Sequence, residues 1–431
     1  MTDPSFSLRP SKETLTAQSG LALFGKFCQR IGLSKTVREQ LPPPGSNRGY
    51  HPDAYVLPLV MMLHAGGRYL EDIRAICKDK GLCRLLKIKT IPEAGSIGDW
   101  LRRMGENEGI DGLANVNKWV IAQTLHSVDH KKLTLDIDAT GIVAHKFEAQ
   151  YTYKKFKGYM PIVGHIAENG AVVAEEFRAG NVSPATDNLA FIKSCVSQLP
   201  EEKCFASLRA DAASYQSAII KYCEDQNMTY AIGGKMSKAL LETIQRAGNT
   251  SWKPYVDRHG VKTDSQITTV SWSMEQSTKP FSMIVLRTVL EKPDLFETGR
   301  YKYHIVATNR LEEDSTAVLH WYSERGEHSE NRIKELKNGF SLDYMPCGTQ
   351  GANAVFFRIG VLAYNLFILF KREVLGKRWL RSQIQTVRLH VYNLPGKIVR
   401  TARMLCLRIP ESFFLILKQI KERIEAIPAF T

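Results

Sequence analysis

The hydrophobic period of this chain changes at Lys132, and no other feature limits its fold as much. From about Leu21 to Ser127 apolar residues recur every three or four positions, as in FGKFCQRIGL, AYVLPLVMMLHAGG, LEDIRAICKDKGLCRLL and LANVNKWVIAQTL. That spacing predicts helices that each bury one face. From Lys132 the run KLTLDIDATGIVA alternates instead, with Leu133, Leu135 and Ile137 on one side and Asp136 and Asp138 on the other. Such a strand needs an apolar core on one face and partners for two carboxylates on the other. The two periods together exclude an all-helical and an all-β fold.

More strands and helices follow in an interpretable order. Met160–Ala167 and Ala171–Phe177 read as strands around a Glu168-Asn169-Gly170 turn. A helix is predicted over Asn188–Gln198, a strand over Cys204–Ala210 and a helix over Ser214–Gln226. This βββαβα order is that of an RNase H-like core, so the expected class is mixed α/β. The pieces TYAIGG, TTVSW, FSMIVLRTV and YHIVATN, separated by polar loops, read as a β-rich insertion. A helix from Asp314 to about Lys337 and an apolar helix near Gly351–Phe370 come next. The expected organisation is a flexible tail (1–20), a helical DNA-binding region (21–130), core (131–227), insertion (228–312), core again (313–370) and a basic helical C-terminal region (371–431). Ser96–Arg103 reads either as a serine-capped recognition helix or as an amphipathic surface helix.

The 431 residues carry a net charge of +14. An excess of this size points to a polyanionic partner, nucleic acid first, with a solvated basic surface as the alternative. From Lys371 onward there are 13 Lys and Arg against 4 Asp and Glu, a surplus of 9. The eight cysteines are scattered with no CxxC pair, which fits a reducing compartment better than a disulfide framework or a zinc site. Met1–Gly20 is polar, without the apolar stretch of a secretory signal. The apolar stretch Ile359–Phe370 is too short to span a bilayer and reads as a buried core helix. A cytoplasmic location is therefore expected.

Three acids are candidates for chemistry: Asp138 in DIDATG, Asp211 in LRADAASY and Glu330 in WYSERGEHSENRIKELK. Two strand-borne aspartates and a helix-borne glutamate can hold two divalent ions over a phosphodiester, and hard carboxylate oxygens suit Mg²⁺. Asp136 competes with Asp138, which is preferred because it lies at the strand's end. Glu327 and Glu335 remain open beside Glu330. Glu330 and Lys337 stand two turns apart and are expected to share a helix face. His126 and His130 are four residues apart with no third ligand near in sequence, and read as a surface pair. Gly233-Gly234-Lys235 lacks the spacing of a phosphate-binding loop, so no ATP use is expected, and no GxSxG nucleophile motif occurs.

Together these motifs resemble the DDE-type insertion-sequence transposases that carry a Tyr-Arg-Glu-Lys signature, the group 1-like DDE transposases of the RNase H-like superfamily. The matching residues are Asp138, Asp211, Tyr322, Arg325, Glu330 and Lys337, supported by Gly180-Asn181, the VATN run at Val306–Asn309 and the helix containing Asn365. The resemblance runs from about Ala54 to Arg403. One departure stands out. Four residues separate Arg325 from Glu330, where the commonest signature has three, while the six between Glu330 and Lys337 match. The resemblance implies an enzyme that cuts double-stranded DNA at terminal inverted repeats and passes the 3′-hydroxyl ends to target DNA. It implies Mg²⁺, with Mn²⁺ as substitute, held by Asp138, Asp211 and Glu330. Phosphate contacts would come from Tyr322, Arg325 and Lys337, and a homodimer would act on the DNA. Trp252 and Trp272 are candidates for stacking a flipped base, or else core aromatics. The alternatives are a catalytically silent DNA-binding derivative and an RNase H-like nuclease.

Overall fold

The structure is a computed structural model that describes residues 8–428 except Ser127, Ala247, Gln276, Thr278, residues 295–298 and Arg403. Residues 1–7 of the expected tail lie outside the described part. The chain divides into two compact units. One comprises the residues up to Val116, Gly339–Ser341 and Gly351 onward; the other comprises Asn117–Asn338 and Leu342–Gln350.

The second unit is built on a nine-stranded sheet, its strands labelled here in chain order. They are β1 (Lys132–Ala139), β2 (Ile162–Ile166), β3 (Val172–Glu176), β4 (Cys204–Ala210), β5 (Thr229–Gly233), β6 (Lys253–Val256), β7 (Lys262–Trp272), β8 (Phe281–Asp294) and β9 (Gly299–Thr308). Their order across the sheet is β6-β7-β8-β9-β5-β4-β1-β2-β3. β1 runs antiparallel to β2 and parallel to β4, and β4 runs parallel to β5. Two expectations change here. The TYAIGG run, placed in the insertion, is β5, a full member of the sheet. The other insertion strands form no separate layer: β9 pairs antiparallel with β5, and β8, β7 and β6 add outward from it. A strand's open edge accepts another strand whatever its sequence distance, so strand content alone could not locate the insertion. Between β1 and β2 lies an unanticipated small sheet of Ile142–Val143, Gln150–Tyr151 and Lys157–Tyr159, too short to show a period.

The alternation in β1 decides what covers each face. Leu133, Leu135 and Ile137 are buried against Ile121 and Leu125, Phe191 and Ile192, and Ile219 and Ile220, from three helices. The other face receives the helix Ser315–Lys334 through Val318, Leu319 and Tyr322. Beneath that helix the sheet is charged. Asp136, with no exposed surface, takes both ends of the Arg209 fork: Nε donates to Oδ1 at 2.7 Å and Nη2 to Oδ2 at 2.9 Å. Arg209 Nη1 also donates to the Trp321 carbonyl at 2.6 Å and lies 3.2 Å from Glu324 Oε2. One buried guanidinium thus joins two strands to the helix above them.

The first unit gathers the N-terminal helices, from Ser19–Arg30 through Ala94–Glu106, with the apolar helix Gln350–Phe370 and the C-terminal segment. Phe24 stacks on His64 and meets Phe370 edge-on. Arg388 donates to the carbonyls of Leu63, His64 and Gly339. The apolar helix is longer than its apolar stretch suggested and long enough to cross a membrane, but it is buried inside the protein. The C-terminal region is not wholly helical. Gly396–Thr401 and Met404–Arg408 are strands, and Thr14–Thr16 of the expected tail pairs with the first of them. Backbone hydrogen bonds to this distant partner order a segment whose own composition is polar. The helix around Ser96 starts at Ala94 with Glu93 before it, so Ser96 caps nothing. Ile97, Trp100, Leu101 and Met104 are buried and Arg102 pairs with Asp99, so the helix is amphipathic with its charged side outward.

Removing one member of the Asp136–Arg209 pair strands a buried charge. Arg209→Leu is expected to lower the unfolding free energy by about 3–5 kcal/mol, and adding Asp136→Leu to recover most of that loss. Chemical denaturation of the single and double variants measures both.

Candidate active site

Asp138 and Asp211 meet because of strand register. Ile137 stands opposite Ala210 on the parallel strands β1 and β4, so the acids that follow them are neighbours at the carboxyl end of the sheet. Asp211 also starts a short 3₁₀ turn, accepting a hydrogen bond from the Ala213 N–H at 3.0 Å through Oδ1. Arg325 reaches down from the long helix, its Nη1 3.6 Å from Asp138 Oδ2. Tyr322, one turn earlier, packs beside it with the guanidinium 5.5 Å from the ring centre.

The electrostatics follow from this crowding. Burial raises the Asp138 carboxyl to about 6; the Arg325 charge opposes that rise and Asp211 adds to it. Burial opposes the Arg325 charge, but Tyr322, Asp138 and Asp211 more than offset it, so the guanidinium is held above its ordinary range. Lys337 donates to the Gly141 carbonyl at 2.6 Å. Its ammonium is lowered by burial, with Asp343 opposing and Lys154 adding to the effect.

Glu330 is not brought to the two aspartates. Its side chain is 66% exposed and bonds Lys334 at 2.7 Å on the outer face of the helix. Five residues at about 100° each carry it about 140° around from Arg325. The inward position one turn past Arg325 belongs to Ser329, which is fully buried. Nor do Glu330 and Lys337 share a face, as their spacing had suggested. The helix ends in a five-residue π-type turn, Glu335–Gly339, which changes the rotation between them. Glu327 is half exposed and pairs with Arg258. Among the described residues, no group of three or more His, Cys, Asp or Glu side chains is placed to hold a metal ion. Two adjacent carboxylates, hard donors on a partly exposed rim, suit one Mg²⁺-type ion that keeps waters; the third acid is missing from that set.

Several residues here were not singled out from the sequence. Arg209 was legible in principle, because Arg209-Ala210-Asp211, running out of the end of β4, repeats at period two the DID pattern of β1. Lys154, in the loop before Lys157–Tyr159, is close enough to lower the Asp138 carboxyl and the Lys337 ammonium, and nothing local marks it. Gly233 has a packing role: a Cβ there would lie 2.8 Å from the Tyr322 hydroxyl and 2.9 Å from the Ala212 nitrogen. Trp252 is a buried member of the core under Arg287, and Trp272 packs against the same core.

The family model of the transposase DDE domain group 1 matches residues 3–428. The chain belongs to that family. The resemblance read from its motifs therefore holds, and DDE transposases of this kind generally use divalent metal ions. Among solved structures, a cryo-EM structure of the piggyBac transposase synaptic complex with hairpin DNA matches this transposase-family chain at 12% identity and a TM-score of 0.46. The match covers 88% of this chain and 81% of that one. No curated protein matches it.

The Asp138 shift has a checkable consequence. The folded carboxyl, at about 6 against an ordinary 3.8, holds its proton more tightly than the unfolded one. Keeping it ionised therefore costs stability that is absent below about pH 4, grows through pH 4–6 and is full above. Asp138→Asn is expected to stabilise the metal-free protein by about 1–3 kcal/mol at pH 8 and by nothing near pH 4. Thermal melts across that range test it.

Proposed function

We propose that this chain is a metal-dependent DNA transposase that cuts at the terminal inverted repeats of an insertion sequence and transfers the 3′-hydroxyl ends to target DNA. The observation that carries the reading is the pair Asp138 and Asp211, side by side at the carboxyl ends of parallel strands under Arg325. The strand order β3-β2-β1-β4-β5, with only β2 running against the other four, supports an RNase H-like core.

In this reading Asp138 and Asp211 would hold the divalent ion, Mg²⁺ or Mn²⁺, and Glu330, which faces outward here, would have to turn inward to be the third ligand. A bound ion of this type activates the attacking oxygen and stabilises the leaving one. Asp138, poised near pH 6, is ionised and ready to bind at neutral pH. Arg325 offers a guanidinium fork, and Tyr322 and Lys337 a hydroxyl and an ammonium, to phosphates at the cut. The helical N-terminal region and the basic C-terminal region supply further phosphate contacts. A cavity of about 670 Å³ in the first unit, lined by Lys80, Arg84, Lys87 and Lys89, supports that role. Two ends cut together imply a homodimer on double-stranded DNA, acting without ATP in the cytoplasm at the nucleoid.

A second reading has a specific observation behind it. Ser329, not an acid, fills the inward position beyond Arg325, which favours a catalytically silent DNA-binding derivative. One assay separates the two: cleavage of a plasmid carrying the presumed flanking repeats, with Mg²⁺. Cutting at the repeat ends by the wild type, lost in Asp138→Asn and Asp211→Asn while DNA binding is kept, is the expected result. Binding without cutting by the wild type would establish the silent reading. Cutting without regard to the repeats, and without strand joining, would point to a nuclease.

A further inference from the structure

We infer that the long helix has two registers, and that movement of its π-type turn along the chain swings Glu330 into the site. This rests on the metal-site reading above and adds a conformational step to it.

Helix phase sets the direction in which Glu330 points. Between Arg325 and Phe340 the helix contains one turn wider than an α-turn, and it lies after Lys334, at Glu335–Gly339. A turn of this kind accommodates one extra residue. Everything between Arg325 and Lys334 is therefore in α phase with Arg325, and Glu330 is about 140° away. Were the wide turn to lie between Arg325 and Glu330 instead, the stretch from Glu330 to Lys334 would rotate back by about 100°. Glu330 would then lie about 40° from Arg325, the direction Ser329 now takes. The total rotation up to Phe340 is the same in both registers, so residues beyond the helix keep their places.

Three observations favour a second register. The present one buries Ser329 Oγ and Arg325 Nε without hydrogen bonds, and holds Arg332 Nη1 and Arg325 Nη1 at 3.6 Å from carboxylates, too far for a hydrogen bond. Such atoms are rare in a settled interior because each forfeits its hydration. The same rotation would bring the half-buried Ile333 into the apolar line and carry Arg332 outward, in exchange for its bond to the Ala167 carbonyl and its pairing with Asp136. Gly326 stands where the wide turn would form. It is exposed, with nothing within 4 Å of a hypothetical Cβ, and glycine lowers the cost of leaving α geometry. Asp136 would keep both bonds to Arg209 after Arg332 departs. A divalent ion shifts the balance because only the rotated register offers it a third carboxylate. The extra residue between Arg325 and Glu330 thus becomes a built-in delay in assembling the site.

The test reads side-chain exposure and metal binding rather than activity. Full-length Ile333→Cys and Arg332→Cys proteins are alkylated with and without Mn²⁺, and each labelled peptide is quantified by mass spectrometry. Mn²⁺ is expected to slow labelling at position 333 and speed it at position 332, each by roughly threefold or more. Both effects should vanish in Glu330→Gln. Deleting His328 removes the extra residue and should leave an all-α helix with Glu330 inward. That variant is expected to protect the cysteine at 333 without metal and to bind Mn²⁺ more tightly than wild type. Unchanged labelling, with Mn²⁺ still bound in an Asp138-dependent manner, would overturn the two-register inference and leave the metal-site reading intact. Mn²⁺ binding that ignores Asp138→Asn would overturn the metal-site reading, and the inference with it.

Discussion

The structure of the sheet-bearing unit depends on a buried ion pair. Asp136 and Arg209 lie on adjacent strands with almost no solvent contact, and neither charge could remain there alone. Arg209 has donors left after satisfying Asp136, and it spends them on Trp321 and Glu324 of the long helix. That contact sets which residues of the helix look down. Tyr322 and Arg325 follow from it by helical periodicity, and so does the placing of Arg325 over Asp138. Arg332, 3.6 Å from Asp136 Oδ2 on its other side, extends the same network toward the helix's end.

One alternation along β1 separates structure from chemistry. Its leucines and isoleucine close an apolar core with three helices, and this gives the sheet a rigid floor. Its aspartates face the other way, and their fates differ by position along the strand. Asp136, in the middle, is neutralised by Arg209 and serves the fold. Asp138, at the rim, meets Asp211 and an incomplete set of cations, and its carboxyl is left well above the usual range. Arg325 and Lys154 act on Asp138, and Lys337 lies close by, bonded to the Gly141 carbonyl and near Asp343.

Legibility varied with the range of the interactions involved. Strands β1 and β4 and their terminal acids were readable because alternation is local and each acid closes its own segment. Tyr322 and Arg325 were readable because three residues along an α-helix keep a common face. The small sheet at residues 142–159 was not, since strands of two or three residues have no period to detect. The insertion was recognised as β-rich but not as an extension of the main sheet. The union of the N-terminal helices with Gln350–Phe370 and the C-terminal segment in one unit was equally hidden. Phe24 against Phe370, or Arg388 on the carbonyls of Leu63 and His64, are pairings between segments more than 300 residues apart.

By itself the sequence determined the mixed α/β class, the two faces of β1, the acids at the strand ends, the basic surplus and the family. These are properties of short windows, or of ordered motifs that can be read without knowing where the chain goes. Tertiary structure decided the rest. It chose Asp136 for the fold and Asp138 for the site, because register with β4 sets Arg209 against one and Asp211 beside the other. It also placed Glu330 on the outside, despite motif spacing that suggested otherwise. The reason is physical: helix phase accumulates at about 100° per residue, so one additional residue is enough to turn a carboxylate away from the two aspartates.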